Sequence, residues 1–121
     1  MALHLVPKEI MKEDILEITK YYFNVFSQKK IDELSKLFSE DVKLRDWQNQ
    51  ASGKKEVLKI NQKIFDSVNS IKVIPLKLDK VEKKIYAELE IIINDKEKRL
   101  VLDVISFNDE NKISNIDAYQ G

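Results

Sequence analysis

"KIYAELEIIINDKEKRLVLDVISF", Lys84 to Phe107, decides the fold class. Two runs rich in apolar and β-branched residues flank the polar stretch NDKEK, Asn94 to Lys98, which reads as two strands joined by a short turn. Strands joined so closely pair antiparallel. The second run, LVLDVISF from Leu100 to Phe107, is apolar enough to read as a strand covered on both faces. One carboxylate interrupts it. A buried ionised carboxylate is costly unless it is paired, so Asp103 is paired, protonated or turned toward a cavity.

Working outward, IKVIPLKLDKVE from Ile71 to Glu82 precedes this hairpin, and KISNIDAY from Lys112 to Tyr119 follows it after the polar turn NDEN. Both read as further strands of one consecutively paired sheet. Upstream of residue 71 the hydrophobic period becomes helical, which makes the chain α+β. From residue 8 to 28, Ile15, Ile18, Tyr22, Val25 and Phe26 share one face, with Lys12, Glu13, Glu17 and Lys20 opposite, and Pro7 is placed to start the helix. A second, shorter helix, KIDELSKLFSED, buries Ile31, Leu34, Leu37 and Phe38. DVKLRDWQ then alternates through Val42, Leu44 and Asp46, so that the inward row of this strand ends in a carboxylate. Gly53 opens a third helix with a stripe of Val57, Ile64 and Val68, bordered by Ile60, with Leu58 and Phe65 alongside.

The inventory of side chains excludes most familiar chemistries. The 121 residues suit a single domain, 1–121, with a core and a pocket; 43% are hydrophobic and 35% charged, as in ordinary globular proteins. Lys+Arg and Asp+Glu are 21 each, so no basic footprint invites nucleic acid or an anionic membrane. The absence of cysteine removes disulfides and thiolate chemistry and fits a reducing cytoplasm. No apolar run in MALHLVPKEI suggests a signal peptide or membrane span, so a cytoplasmic protein is expected. With 2 Gly and 2 Pro there is no glycine-rich phosphate loop. The single histidine, His4, reads as a solvated tail residue and cannot build a Ser-His-Asp triad or a multi-histidine metal site, so neither metal nor cofactor is expected. Carboxylates, tyrosines and Arg45 remain. Proton transfer needs no more than these.

The order YYFNVFSQKKIDELSKLFSEDVKLRDW…SGKKEVLKI, closing with VISFNDENKISNIDAYQG, resembles the NTF2-like superfamily, in particular its SnoaL-like and ketosteroid-isomerase-like branch, over nearly the whole chain. The resemblance implies a cone of three helices packed on a strongly curved, mainly antiparallel sheet that encloses a pocket. In ketosteroid isomerases a tyrosine and a protonated aspartic acid form the oxyanion hole while a second aspartate shuttles the proton. The matching positions are Tyr22 for the tyrosine, Asp103 for the protonated acid and Asp46 for the base. Expected pocket walls are Ile18, Phe26, Leu44, Trp47, Val101, Ile105, Phe107 and Tyr119. Trp47 stands where the isomerases commonly have proline and is expected to narrow the mouth, which favours a carbonyl compound smaller than a steroid. The function implied is abstraction of a proton α to a carbonyl; a non-catalytic module that binds a small ligand or a protein is the alternative.

Each matched residue also has a structural reading. Tyr22 lies on the apolar stripe of its helix and suits a core tyrosine. Asp46 suits a surface ion pair with Arg45 or the cap of the following loop. Asp103 suits a buried structural hydrogen bond. The strand from Ile85 to Ile93 is open in phase. An ungapped match to Asp103 turns Tyr86, Glu88 and Glu90 inward, whereas plain alternation turns in Ile85, Ala87, Leu89 and Ile91, and one residue in the turn exchanges the two. The outer row Leu100, Leu102 and Val104 is too apolar for water, so a homodimer through this face is expected.

Overall fold

The computed structural model describes residues 14–121. His4, Pro7 and the expected helical residues 8–13 lie outside them. Helix α1 spans Ile15–Ser27, and the Asp14 side chain caps it by accepting the Leu16 N–H at 2.8 Å. Helix α2 covers Ile31–Leu37. Phe38, read as helical from its spacing, instead starts strand β1, Phe38–Arg45, and is fully buried there. A three-residue strand, β2 (Gln50–Ser52), follows. It is too short to announce itself by alternation. It exists because the chain turns back at Asp46 and pairs antiparallel with β1.

Gly53 begins helix α3, Lys54–Asp66, from φ 93° and ψ 145°. That backbone region is open to glycine and strained for any side chain, so the residue fixes the angle at which α3 leaves β2. Strands β3 (Ile71–Val81), β4 (Lys84–Ile93), β5 (Glu97–Phe107) and β6 (Ile113–Gln120) complete a six-stranded sheet in the order β2-β1-β6-β5-β4-β3. All neighbours are antiparallel except β1 and β6, which run parallel, so the sheet is mixed. Register shifts in β1, β3 and at the β5–β6 junction bend it.

The bulge in β3 has a readable purpose. Strict alternation from Ile71 would carry Val73, Pro75 and then Lys77 inward. The extra residue at Leu76 shifts the phase, so that Leu78 faces Ala87 on the inner side and Lys77 faces outward beside Glu88. Leu76 itself stands exposed.

The phase of β4 follows plain alternation. Ile85, Ala87 and Leu89 are buried and Tyr86 is exposed, so the ungapped match that turned Tyr86, Glu88 and Glu90 inward is corrected. The reason is the turn. Its three residues, Asn94 to Lys96, pair Ile93 with Glu97 and therefore Ala87 with Asp103, and odd-numbered residues of both strands face in. Asn94 and Asp95 take left-handed backbone angles of 55° and 60°, which short polar side chains tolerate. The inner faces of β1, β4, β5 and β6 meet α1, α2 and α3 in one hydrophobic core.

Candidate functional site

At the wide end of the cone the core is not filled. A cavity of about 420 Å³ lies between the C-terminal half of α1, helix α3, the end of β1 and the inner face of β4, β5 and β6. Tyr22, Asp46 and Asp103 all line it. Of the expected walls, Phe26, Leu44, Trp47 and Val101 do so as well. Four expected walls do not. Ile18, Ile105 and Phe107 sit nearer the narrow end, where they are buried in the packed core. Tyr119 is half-exposed, because Ile116 and Ala118 take the inward phase of β6 and Tyr119 pairs with Leu102 on the outer face.

Tyr22 is held by aromatic neighbours: Phe23, Phe26 and Phe38 rings lie 5.4, 6.0 and 6.2 Å from its own. The adjacent Tyr21 has a different role, donating its hydroxyl to Glu33 at 2.7 Å outside the cavity. Among the described residues neither the Tyr22 hydroxyl nor the Asp103 carboxyl makes a hydrogen bond, so both keep their capacity for something in the cavity. Burial, and secondarily the charge of nearby Asp103, holds the Tyr22 phenol far above its ordinary range. It is a donor at any physiological pH.

Asp103 is 8% exposed. Burial first, and the charge of Asp46 second, push its carboxyl from 3.8 up to about 7. A substantial fraction is therefore a neutral acid at neutral pH, able to donate a hydrogen bond. These two electrostatic couplings link the three side chains into one set.

Asp46 closes β1 with a turn. Its Oδ1 accepts the backbone N–H of Gln48 at 2.7 Å and of Asn49 at 2.6 Å, and the Asn49 amide reaches Oδ1 and Oδ2 at 3.3 and 3.2 Å. The loop-cap reading thus describes Oδ1, while Oδ2 carries a single long bond and retains lone-pair capacity toward the cavity. The ion pair with Arg45 does not form; Arg45 lies 3.5 Å from Asp117 instead.

Several lining residues escaped the sequence reading. Ile93, Asn94, Glu97 and Arg99 border the wide end, Arg99 paired with Glu97. Their inward phase depends on the turn length, which the sequence left open. Asn61 on α3 also lines the cavity and is buried. It was findable, because it sits four residues from both Val57 and Phe65 and interrupts an apolar face as Asp103 does. Among the described residues no cluster of His, Asp and Glu is arranged to hold a metal ion, and no helix is long and apolar enough to cross a membrane.

No protein-family model and no curated protein matches the sequence. Solved structures do match in shape. A SnoaL-like-family protein from Agrobacterium tumefaciens, provisionally named an isomerase, superimposes with a TM-score of 0.76 at 15% identity, over 88% of this chain and 96% of that one. An NTF2-like protein of unknown function from Cytophaga hutchinsonii gives 0.76 at 9% identity, over 89% and 90%. A protein from Kribbella flavida provisionally named a ketosteroid isomerase gives 0.77 at 15% identity, over 88% and 77%. The fold is the NTF2-like one, shared with SnoaL-like and ketosteroid-isomerase-like proteins.

Proposed function

We propose that the cavity is the active site of an isomerase- or lyase-type enzyme that abstracts a proton α to the carbonyl of a small, largely apolar substrate without a cofactor. Asp46 Oδ2 takes the proton. The electron pair left on carbon moves into the carbonyl, and the resulting enolate oxygen accepts hydrogen bonds from Tyr22 and the protonated Asp103. Asp46 then returns the proton to carbon, so the step is neutral overall. The observation that carries this reading is the coupling of three groups in one cavity, in which a buried acid keeps its proton to about 7 beside a second carboxylate. Two carboxyl groups in unlike environments are what acid and base roles require. Trp47 at the mouth and the modest cavity volume favour a substrate smaller than a steroid.

The second reading, a non-catalytic binding module, is favoured by one observation: the Asp46 carboxylate already holds the turn through Gln48 and Asn49. Exchange of the α-protons of 2-indanone in deuterated buffer, followed by NMR, separates the two. The wild-type protein should accelerate exchange. Asp46→Asn keeps the shape and removes the proton acceptor, so the rate should fall by about two to four orders of magnitude. Equal rates in the two proteins would leave the binding module as the reading that stands.

A further inference from the structure

The proposed chemistry leaves Asn61 unused. It lies on the buried face of α3, one turn from Val57 and one from Phe65, and is 3% exposed. Its Oδ1 has no hydrogen-bond partner among the described residues, although the side chain borders the cavity. The other buried polar side chains away from the cavity are satisfied: Thr19 donates to the Ile15 carbonyl at 2.8 Å and Ser39 to Asp41 at 2.8 Å. A buried, unpaired amide oxygen destabilises a fold by its full loss of hydration. An apolar side chain would suit this position of α3 better, unless the amide serves whatever enters the cavity.

We infer that Asn61 binds a hydroxyl group of the ligand, so that the substrate is a carbonyl compound carrying a hydroxyl remote from its carbonyl. The orphan oxygen calls for a donor. Rotation of the carboxamide exchanges its oxygen and nitrogen, and a hydroxyl, being donor and acceptor at once, fits either orientation. Ile64 and Val68 line the same wall as Asn61, and the one cation among the lining residues, Arg99, is already paired with Glu97, so an anionic group beside Asn61 would lose its hydration with no free positive charge to offset it. The carbonyl end belongs with Tyr22 and Asp103, the hydroxyl end with α3. This inference rests on reading the cavity as the substrate site, and its test keeps binding apart from chemistry.

The probes are 2-indanone and its 4- and 5-hydroxy derivatives. Trp47 is the single tryptophan and lines the cavity mouth, so its indole N–H resonance reports binding whether or not reaction occurs. The wild-type protein should bind one of the hydroxylated compounds about tenfold more tightly than 2-indanone, the scale of one good hydrogen bond. In Asn61→Leu that preference should shrink to within about twofold, with the parent ketone bound as well or better. The melting temperature of the free variant should rise by a few degrees, which a purely structural asparagine would not allow. Asn61→Ala, which adds no volume, should lose the same preference and guards against overfilling of the wall. No preference in the wild-type protein, or a preference that survives both substitutions, overturns the inference. A preference without α-proton exchange would keep the Asn61 assignment and remove the enzymatic reading.

Discussion

Asp103 faces Ala87 across one ladder and Ala118 across the other. Two small neighbours leave a recess beside it, so a carboxyl in the centre of a sheet opens on the cavity instead of packing against larger side chains. The consequence is a pH dependence with a definite sign. Below 3.8 the carboxyl is protonated in folded and unfolded chains alike, and its contribution to stability is fully present. As pH rises the unfolded chain releases its proton first, so the contribution shrinks until the folded carboxyl also ionises near 7. Asp103→Asn cannot ionise. It should therefore gain on the wild-type protein between those limits, by an amount on the order of 4 kcal/mol, and then level off. Urea melts at several pH values measure this. A variant that loses ground over the same range would mean that Asp103 is an ionised structural partner. Because the Asp46 charge is the second cause of the shift, Asp46→Asn should lower the upper end of the window.

At the scale of elements, the joint between α1 and α3 depends on one lysine. Lys29 follows α1 with a left-handed backbone at φ 58°, and its ammonium donates to the carbonyls of Phe65, Val68 and Asn69 at 2.9, 2.7 and 3.3 Å. It satisfies the exposed carbonyl end of α3 and places a positive charge at its negative pole. Lys29→Met keeps the stem and the backbone strain while removing the donors. Chemical denaturation should show a loss of about 1 to 3 kcal/mol. Nothing local in QKKID announces that bond, because its partners lie 36 to 40 residues away. The helices themselves were legible: Val57, Leu34 and Ile18 sit on stripes of period 3.6 and are fully buried. So were the inward rows of β1 and β5, since alternation depends on nearest neighbours alone. What was not legible depends on contacts between segments. Phe38 leaves the helix because β1 pairs with β6, and the phase of β4 follows from a turn one cannot size from NDKEK. Asp46 and Asp103 were readable as candidates because one ends and the other interrupts an apolar row, whereas Tyr22 lies on an apolar stripe and was singled out by the resemblance to ketosteroid isomerases. The residues at the wide end were not, since Arg99 and Glu97 look like ordinary solvated charges until the register turns them inward.

The whole molecule has an inner face that its helices cover and an outer face that none of the described residues covers. Leu100 is 59% and Tyr119 50% exposed, and Tyr86 and Leu102 are also solvent-facing. Cross-strand register makes them contiguous: Tyr86 opposes Val104 and Leu102 opposes Tyr119. We propose a second copy of the chain, related by a twofold axis, as the cover for this row of Leu100, Leu102 and Val104. The row is short enough that the same patch serves both partners, and it lies on the side of β5 opposite Asp103, so assembly would leave the cavity mouth free. Sedimentation at micromolar concentration should give a dimer. Val104→Lys tests the face itself: Val104 is only partly buried and stands between Tyr86 and Asp117, so a lysine stem there can reach solvent or the Asp117 carboxylate without entering the core. The variant should sediment as a monomer with its circular dichroism spectrum unchanged. In the dimer each lysine would lose its hydration against the apolar row of the partner copy. A wild-type protein that sediments as a monomer, or a Val104→Lys protein that remains dimeric, would remove the outer face as the interface.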